Sequence, residues 1–362
     1  MSYIGFTIPN THRAALLREF NKPLVVEDVP TVRPEGEAVL VRTIAAGICH
    51  SDIHAWRGDY RPAGLPKKIP IVLSHEVVGV VVACGDRVPK HLIGRKVLIY
   101  PWQYEDEDEF TLVGLTQLAR RRLRLGLDVD GGLQEYLYVR HYKFLVDAEG
   151  LADIPALAPL ACAGLTTYRA IKKLASYVGP EDYVVVVGLG GLGSYAVQWV
   201  RTLIPYTNLV GVDTRDEAIE FASKLAKVDY VVNPSKVNPV DEVMRITKNR
   251  GVKAVVDLVA SPKVVATYIN VLDTRGVYVL VGHMGEEGIT VPRPRIIRNE
   301  LVIMGSYTGS LAEQREVVEL ARSGRVNYSA VVTTRYRLED VNEALKNVEE
   351  GRTLGRQIVV FD

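Results

Sequence analysis

The run Tyr183-Val184-Val185-Val186-Val187 leads straight into Gly188-Leu189-Gly190-Gly191-Leu192-Gly193 and on to a helix-forming stretch at 194–202. An unbroken run of β-formers is expected of a strand buried on both faces, the situation inside a parallel sheet covered by helices. The six-residue turn fits GxGxxG, a weak signal alone but a strong one between such a strand and a helix. Gly188 permits the tight turn, Gly190 lets the backbone approach a pyrophosphate, and Gly193 lets the helix pack against the strand. The free N–H groups of the helix N-terminus then face the anion. Asp213 closes the next strand-like run, Asn208–Val212. A carboxylate there, twenty residues beyond Gly193, accepts hydrogen bonds from ribose hydroxyls. Asp213 favours NAD because it repels a 2′-phosphate, whereas Arg215 leaves NADP open by offering that phosphate a guanidinium.

Strand and helix continue to alternate after this turn: a helix at 216–226, strands at 230–232, 253–258 and 276–281. That alternation predicts an α/β chain with a doubly wound parallel sheet. The residues before about Leu145 read differently. Short strands at 38–43, 77–82, 96–100 and 135–139 are punctuated by clusters such as Arg33-Pro34-Glu35-Gly36 and Arg61-Pro62-Ala63-Gly64, the texture of a mainly antiparallel β domain. The tail adds a strand at 301–304, a helix at 312–323 and a strand at 357–361.

A length of 362 residues accommodates two domains of about 100–200 residues each. A net charge of +1 gives no global field toward nucleic acid or an anionic membrane. The apolar runs are strand-length, short of the roughly 18 residues of a membrane span, and the first twenty residues lack the apolar core of a signal peptide. Three cysteines are too few for a disulfide scaffold, so the cytoplasm is the expected compartment. Scarce glutamine beside abundant Arg and Glu points to heat tolerance.

Three segments carry candidate metal ligands: Cys49-His50-Ser51-Asp52-Ile53-His54, His75-Glu76, and Cys162 within Pro159-Leu160-Ala161-Cys162-Ala163-Gly164. Thiolate and imidazole are ligands zinc prefers, and two Cys with one His leave a position open for substrate. Each also has a plain structural reading, a buried small thiol or a hydrogen-bonded histidine. Spacing alone does not choose between them.

Together, Gly47-Ile48-Cys49-His50-Ser51-Asp52, Ser74-His75-Glu76, Pro159 to Gly164 with Thr166-Thr167-Tyr168, the GxGxxG turn and Gly355-Arg356-Gln357 resemble the zinc-dependent medium-chain alcohol dehydrogenases. The resemblance runs the length of the chain. It implies a GroES-like, mainly antiparallel β catalytic domain over residues 1–160, a Rossmann domain over 161–300, and a return to the catalytic domain over 301–362. It implies Cys49, His75 and Cys162 as ligands of one catalytic zinc, with Glu76 behind them and approaching the metal transiently. Zinc would lower the pKa of an alcohol so that an alkoxide forms and hydride moves to the nicotinamide ring. Ser51 would take the proton and pass it to His54. Gly188, Gly190, Gly191, Leu192 and Gly193, with His50, Thr166 and Arg356, would contact the cofactor. Asp52 would orient His75, and aromatic residues near Trp56, Trp102 and Tyr307 would line a pocket for a hydrophobic or bulky alcohol, aldehyde or ketone. Kinship also implies a homo-oligomer, a tetramer rather than a dimer. Cys84 matches no ligand position and is read as a packed thiol.

Two departures stand out. The lobe at 100–132, where many members hold a structural zinc with four cysteines, contains none. Its acidic residues 105–109 and basic residues 120–124 are expected to pair instead. Ser74 replaces the glycine usual before His-Glu and needs more room than glycine does. Two other readings remain at this stage: a zinc-free reductase of activated double bonds, and a nucleotide-binding protein without catalysis. The Cys49, His75 and Cys162 set argues against the first, Ser51 and His54 against the second.

Overall fold

A computed structural model of the chain describes residues 6–282 and 288–362. It divides into two compact units. One comprises the chain up to Cys162 together with Gly309–Ser323 and Val332–Asp362; the other comprises Ala163–Thr308 and Gly324–Val331.

The second unit is built on six parallel strands lying side by side in the order Tyr230–Val232, Asn208–Val212, Tyr183–Val187, Val252–Asp257, Leu272–Leu280 and Val302–Gly305. Val184, Val185 and Val186 are fully buried at the centre, as the unbroken β-former run requires. The chain winds outward in one direction from Tyr183–Val187 and then in the other from Val252–Asp257. This is the doubly wound Rossmann arrangement, and the strand-order reversal opens a crevice at the carboxyl ends of those two strands. The glycine turn sits there. A β-carbon on Gly193 would lie 2.2 Å from the Gly188 carbonyl oxygen, so only glycine lets the helix Gly193–Leu203 begin this close to the strand. The strand Val302–Gly305 pairs with Leu272–Leu280 through Val277↔Val302 to Leu280↔Gly305. It therefore completes the parallel sheet, and the expected return to the catalytic domain at residue 301 is displaced to Gly309. An apolar strand finds its burial beside another apolar strand, and the boundary that the resemblance implied left this one out.

The first unit holds a seven-stranded sheet whose main path runs Leu145–Asp147, Lys96–Ile99, Glu76–Cys84, Val39–Ile48, Arg356–Val360 and Val332–Tyr336, with Tyr136–Val139 also paired to Val39–Ile48. Val39–Ile48 runs further than the expected 38–43. Its continuation Ala45-Ala46-Gly47-Ile48 is paired on one side with Glu76–Cys84 and on the other with Arg356–Val360. Thr11–Leu17 forms an antiparallel hairpin with Val25–Pro30, which sequence texture did not single out. Its inner face joins the core cluster of Leu17, Ile48, Ile53, Ile71, Leu73 and Val359.

The cysteine-free lobe is a two-stranded ribbon, Trp102–Tyr104 against Arg122–Arg124, which brings its acidic and basic runs face to face. Arg121 pairs with Glu105 and Asp106, and Arg120 with Glu109. All three basic-to-acidic contacts are largely solvated, so solvent screening leaves them little to contribute. A stronger tie lies beneath them. The buried Tyr100 hydroxyl donates to the Gly309 carbonyl at 2.9 Å and accepts from the Thr116 hydroxyl at 2.9 Å, while Thr116 Oγ1 accepts the Leu311 N–H at 2.9 Å. This relay fastens the lobe to the start of helix Leu311–Arg322. Tyr100→Phe should therefore lower unfolding free energy by about 1–3 kcal/mol, more than Glu105→Gln or Glu109→Gln. Denaturant titration of the three variants checks this; a larger loss from either charge variant would return the lobe to its ion pairs.

Candidate active site

Three neighbouring strands converge on one point of the first unit. Val39–Ile48 delivers Cys49 at its end, Glu76–Cys84 begins with Glu76 just after His75, and Arg356–Val360 begins with Arg356. Gly47 is the register partner of Glu76 on one side and of Ile358 on the other. A β-carbon on Gly47 would stand 2.0 Å from Glu76 Oε2, so glycine makes room for the carboxylate. Cys49 caps helix His50–Arg57: Asp52, in its first turn, accepts the Cys49 N–H through Oδ2 at 2.8 Å. Cys162 arrives from the other direction, ending the 3₁₀ run Ile154–Ala161.

The ligand atoms of Cys49, His75, Glu76 and Cys162 all lie within 4.8 Å of one another, and all four residues are buried. None of the cysteines is in a disulfide. Asp52 Oδ1 stands 3.6 Å from His75 Nδ1, which turns the opposite ring nitrogen, Nε2, toward the cluster. Among the described residues His75 Nε2 and Glu76 Oε2 have no hydrogen-bond partner. Buried polar atoms without partners are costly, and two aimed into a Cys₂His set match what a metal ion satisfies. Zinc fits this donor set, with the soft thiolates and the imidazole as ligands.

Behind the cluster, Arg356 donates from Nη2 to Glu76 Oε1. Burial lifts the Glu76 carboxyl to about 7, against the opposing pull of the Arg356 guanidinium. A hydrogen bond from Cys162, reinforced by Arg356 and His75, holds Cys49 well below the usual thiol range, and the same contact pushes Cys162 well above it. Burial opposes a charged His75 ring, but Asp52 and Cys49 outweigh it and hold its pKa well above the usual value.

In the second unit, Asp213 Oδ2 accepts the Leu189 N–H at 2.8 Å and Oδ1 accepts the Arg215 N–H at 2.9 Å. The carboxylate thus belongs to the glycine turn itself. Arg215 Nε lies 3.8 Å from Asp213 Oδ1.

Comparison with known proteins now bears on these two sites. Residues 35–149 match the family described as alcohol dehydrogenase GroES-like domain, and residues 191–323 match zinc-binding dehydrogenase. A NAD-dependent alcohol dehydrogenase of Sulfurisphaera tokodaii is 38% identical, the match covering 96% of this chain and 99% of the relative. The chain belongs to the zinc-type medium-chain alcohol dehydrogenases. A D-arabinose 1-dehydrogenase (NADP(+)) of Saccharolobus solfataricus is 31% identical over 96% of this chain and 97% of its own. The crystal structure of the alcohol dehydrogenase from the hyperthermophilic archaeon Aeropyrum pernix superposes with a TM-score of 0.89 at 32% identity, covering 96% of this chain and all of the other. This alcohol dehydrogenase is accordingly an oxidoreductase that moves hydride between an alcohol or carbonyl compound and a nicotinamide cofactor, and zinc is its metal.

In the dehydrogenase, Ser51 donates from Oγ to Cys49 Sγ at 3.1 Å. The His54 ring packs edge-on against His50 at 5.4 Å, and its Nδ1 is held by Asp59 at 2.7 Å. Trp102 lies against the His75 ring at 5.6 Å. Trp56 packs on the core of the first unit and donates to the Lys22 carbonyl at 2.6 Å. Tyr307 belongs to the second unit and is partly exposed, and Thr166 is buried in helix Ala163–Leu174. The expected cofactor contact Arg356 has its side chain on Glu76, an attachment sequence reasoning missed. The available signal was a lone charge entering the apolar run Ile358-Val359-Val360, mirrored by Glu76 entering Val77-Val78. Asp59 carried no signal of its own.

Removing one partner of a buried charge pair strands the other. Glu76→Ala or Arg356→Met should each lower unfolding free energy by about 3–5 kcal/mol, with the double variant recovering much of that loss. A double-mutant cycle by chemical denaturation measures it, and additive losses would mean the pair is not coupled.

Proposed function

We propose that Cys49, His75 and Cys162 hold one catalytic zinc per chain, with Glu76 behind them able to approach it. The observation that carries this reading is the convergence of four buried ligand atoms within 4.8 Å, with His75 Nε2 lacking a hydrogen-bond partner among the described residues. Bound zinc supplies a Lewis acid that lowers the pKa of the substrate hydroxyl. The chain's own residues handle the proton. Ser51 Oγ, already beside Cys49 Sγ, accepts it from the alcohol. With Nδ1 occupied by Asp59, the other nitrogen of His54 takes it up toward the surface. Trp102 beside the His75 ring supports an apolar flank to the reacting centre, and hence a hydrophobic or bulky alcohol or ketone.

For the cofactor, Gly188, Gly190, Gly191, Leu192 and Gly193 cradle the pyrophosphate, with His50, Thr166 and Arg356 as further contacts. Asp213 selects NAD over NADP. Two backbone hydrogen bonds fix its carboxylate at the turn, so making room for a 2′-phosphate at Arg215 would require breaking both. The edge strand Val302–Gly305, apolar and paired on one side only among the described residues, supports a homo-oligomer, and we favour a tetramer. Unbridged cysteines fit the reducing cytoplasm; among the described residues no helix is long and apolar enough to cross a membrane.

Metal analysis should find one zinc per chain, lost together with activity in Cys162→Ala. Zinc-free protein with full turnover would restore the double-bond reductase reading. An alcohol and ketone panel run with both cofactors should favour NAD(H), and Asp213→Ala should move that preference toward NADP(H) by about tenfold, or ~1.4 kcal/mol. Equal use of both cofactors by the parent would assign selection to Arg215.

A further inference from the structure

Ser74 immediately precedes His75 and adopts φ = +74°, a left-handed conformation that side chains with a β-carbon rarely occupy. It is fully buried, and no solvent rewards the choice. Its bonds explain why it is held there. Ser74 Oγ donates to the Gly47 carbonyl at 2.8 Å and receives the Glu76 N–H at 3.4 Å. The Ser74 N–H donates to Asp52 Oδ1 at 3.0 Å, and its carbonyl accepts the Gly132 N–H at 2.9 Å. Asp52 in turn accepts the Cys49 N–H through its other oxygen.

One residue thus joins the segment that carries Cys49 to the turn that carries His75 and Glu76, twice over. The backbone link runs through Asp52 and the hydroxyl link through Gly47. The backbone link survives any side chain at position 74. The hydroxyl link does not.

We propose that Ser74 is a positioning residue: its hydroxyl, bonded to the Gly47 carbonyl, locks the spacing of Cys49 and His75 and so slows escape of the metal they hold. Strain accepted at a site already set for its ligand is a recurrent feature of functional sites, and partners that orient metal ligands commonly alter metal affinity by 10–100-fold when removed. The proposal rests on the zinc reading above. Left-handed backbone costs glycine little, so Ser74→Gly deletes the hydroxyl while relieving the strain. Ser74→Ala deletes the hydroxyl and keeps the strain.

The test loads the parent and both variants with zinc, confirms the content by metal analysis, and follows release to a chromophoric chelator by stopped flow. Melting of the metal-free proteins is recorded alongside. Ser74→Gly should release zinc about tenfold faster than the parent, although its metal-free form melts no lower. Ser74→Ala should release it as fast and melt lower. Release within about twofold of the parent in Ser74→Gly would overturn the proposal, since that variant carries no added strain. A parent that takes up no zinc would overturn the zinc reading itself, and the parent measurement alone would reveal it.

Discussion

The strand ends that carry Cys49 and His75 in the first unit depend on an ion pair between residues 280 positions apart, Arg356 and Glu76. Neither charge reaches solvent. Desolvating two such groups is costly, and only close geometry with added hydrogen bonds offsets it. The geometry comes from strand register: Gly47 opposite Glu76 on one side, Ile358 opposite Gly47 on the other. The pair therefore both requires and fixes the alignment of three strands, and that alignment sets where Cys49 and His75 stand. One Glu76 oxygen, Oε2, has no hydrogen-bond partner among the described residues, while the other is retained by arginine.

How much of this was legible in the sequence varied with the kind of signal. The parallel unit was read well because burial on both faces leaves a continuous apolar run, and Tyr183–Val187, Asn208–Val212 and Tyr230–Val232 appear with their expected bounds. The glycine turn was legible because its geometry tolerates few residue types. The first unit was harder. Thr11–Leu17 and the far half of Val39–Ile48 are rich in alanine and small residues, which carry little β signal, and they are strands only because neighbours pair with them. The candidate metal ligands could be nominated from residue type, but spacing did not bring them together; a resemblance along the whole chain did, and in the structure their ligand atoms lie within 4.8 Å of one another.

Charge patterning gave the pairing of the lobe's two runs but not its attachment. The acidic and basic runs of the lobe do face each other, yet they lie on the solvated side of a ribbon whose attachment is a buried chain of hydroxyls, Tyr100 and Thr116. A tyrosine and a threonine separated by sixteen residues leave no pattern for a reader to notice. At the glycine turn the reverse holds: Asp213 was expected to meet a ribose, and the structure gives it a second duty, tying Leu189 and Arg215 together through backbone N–H groups. A residue nominated for ligand recognition thus holds the backbone of the glycine turn.

The shared sheet has a consequence for the order in which the molecule is built. Arg356 leaves the ribosome 280 residues after Glu76, an interval of roughly 15 to 55 s at ordinary synthesis rates. The parallel-stranded unit lies wholly between the two and has the first opportunity to fold. Throughout that interval the 45–48 end of the central strand lacks its Arg356–Val360 partner and Glu76 lacks the Arg356 counter-charge. Its thiols Cys49 and Cys162 are then outside their finished cage. A nascent chain of this design spends tens of seconds with these two cysteines outside the buried cluster and open to oxidation, which makes the redox state of its birthplace part of the folding problem.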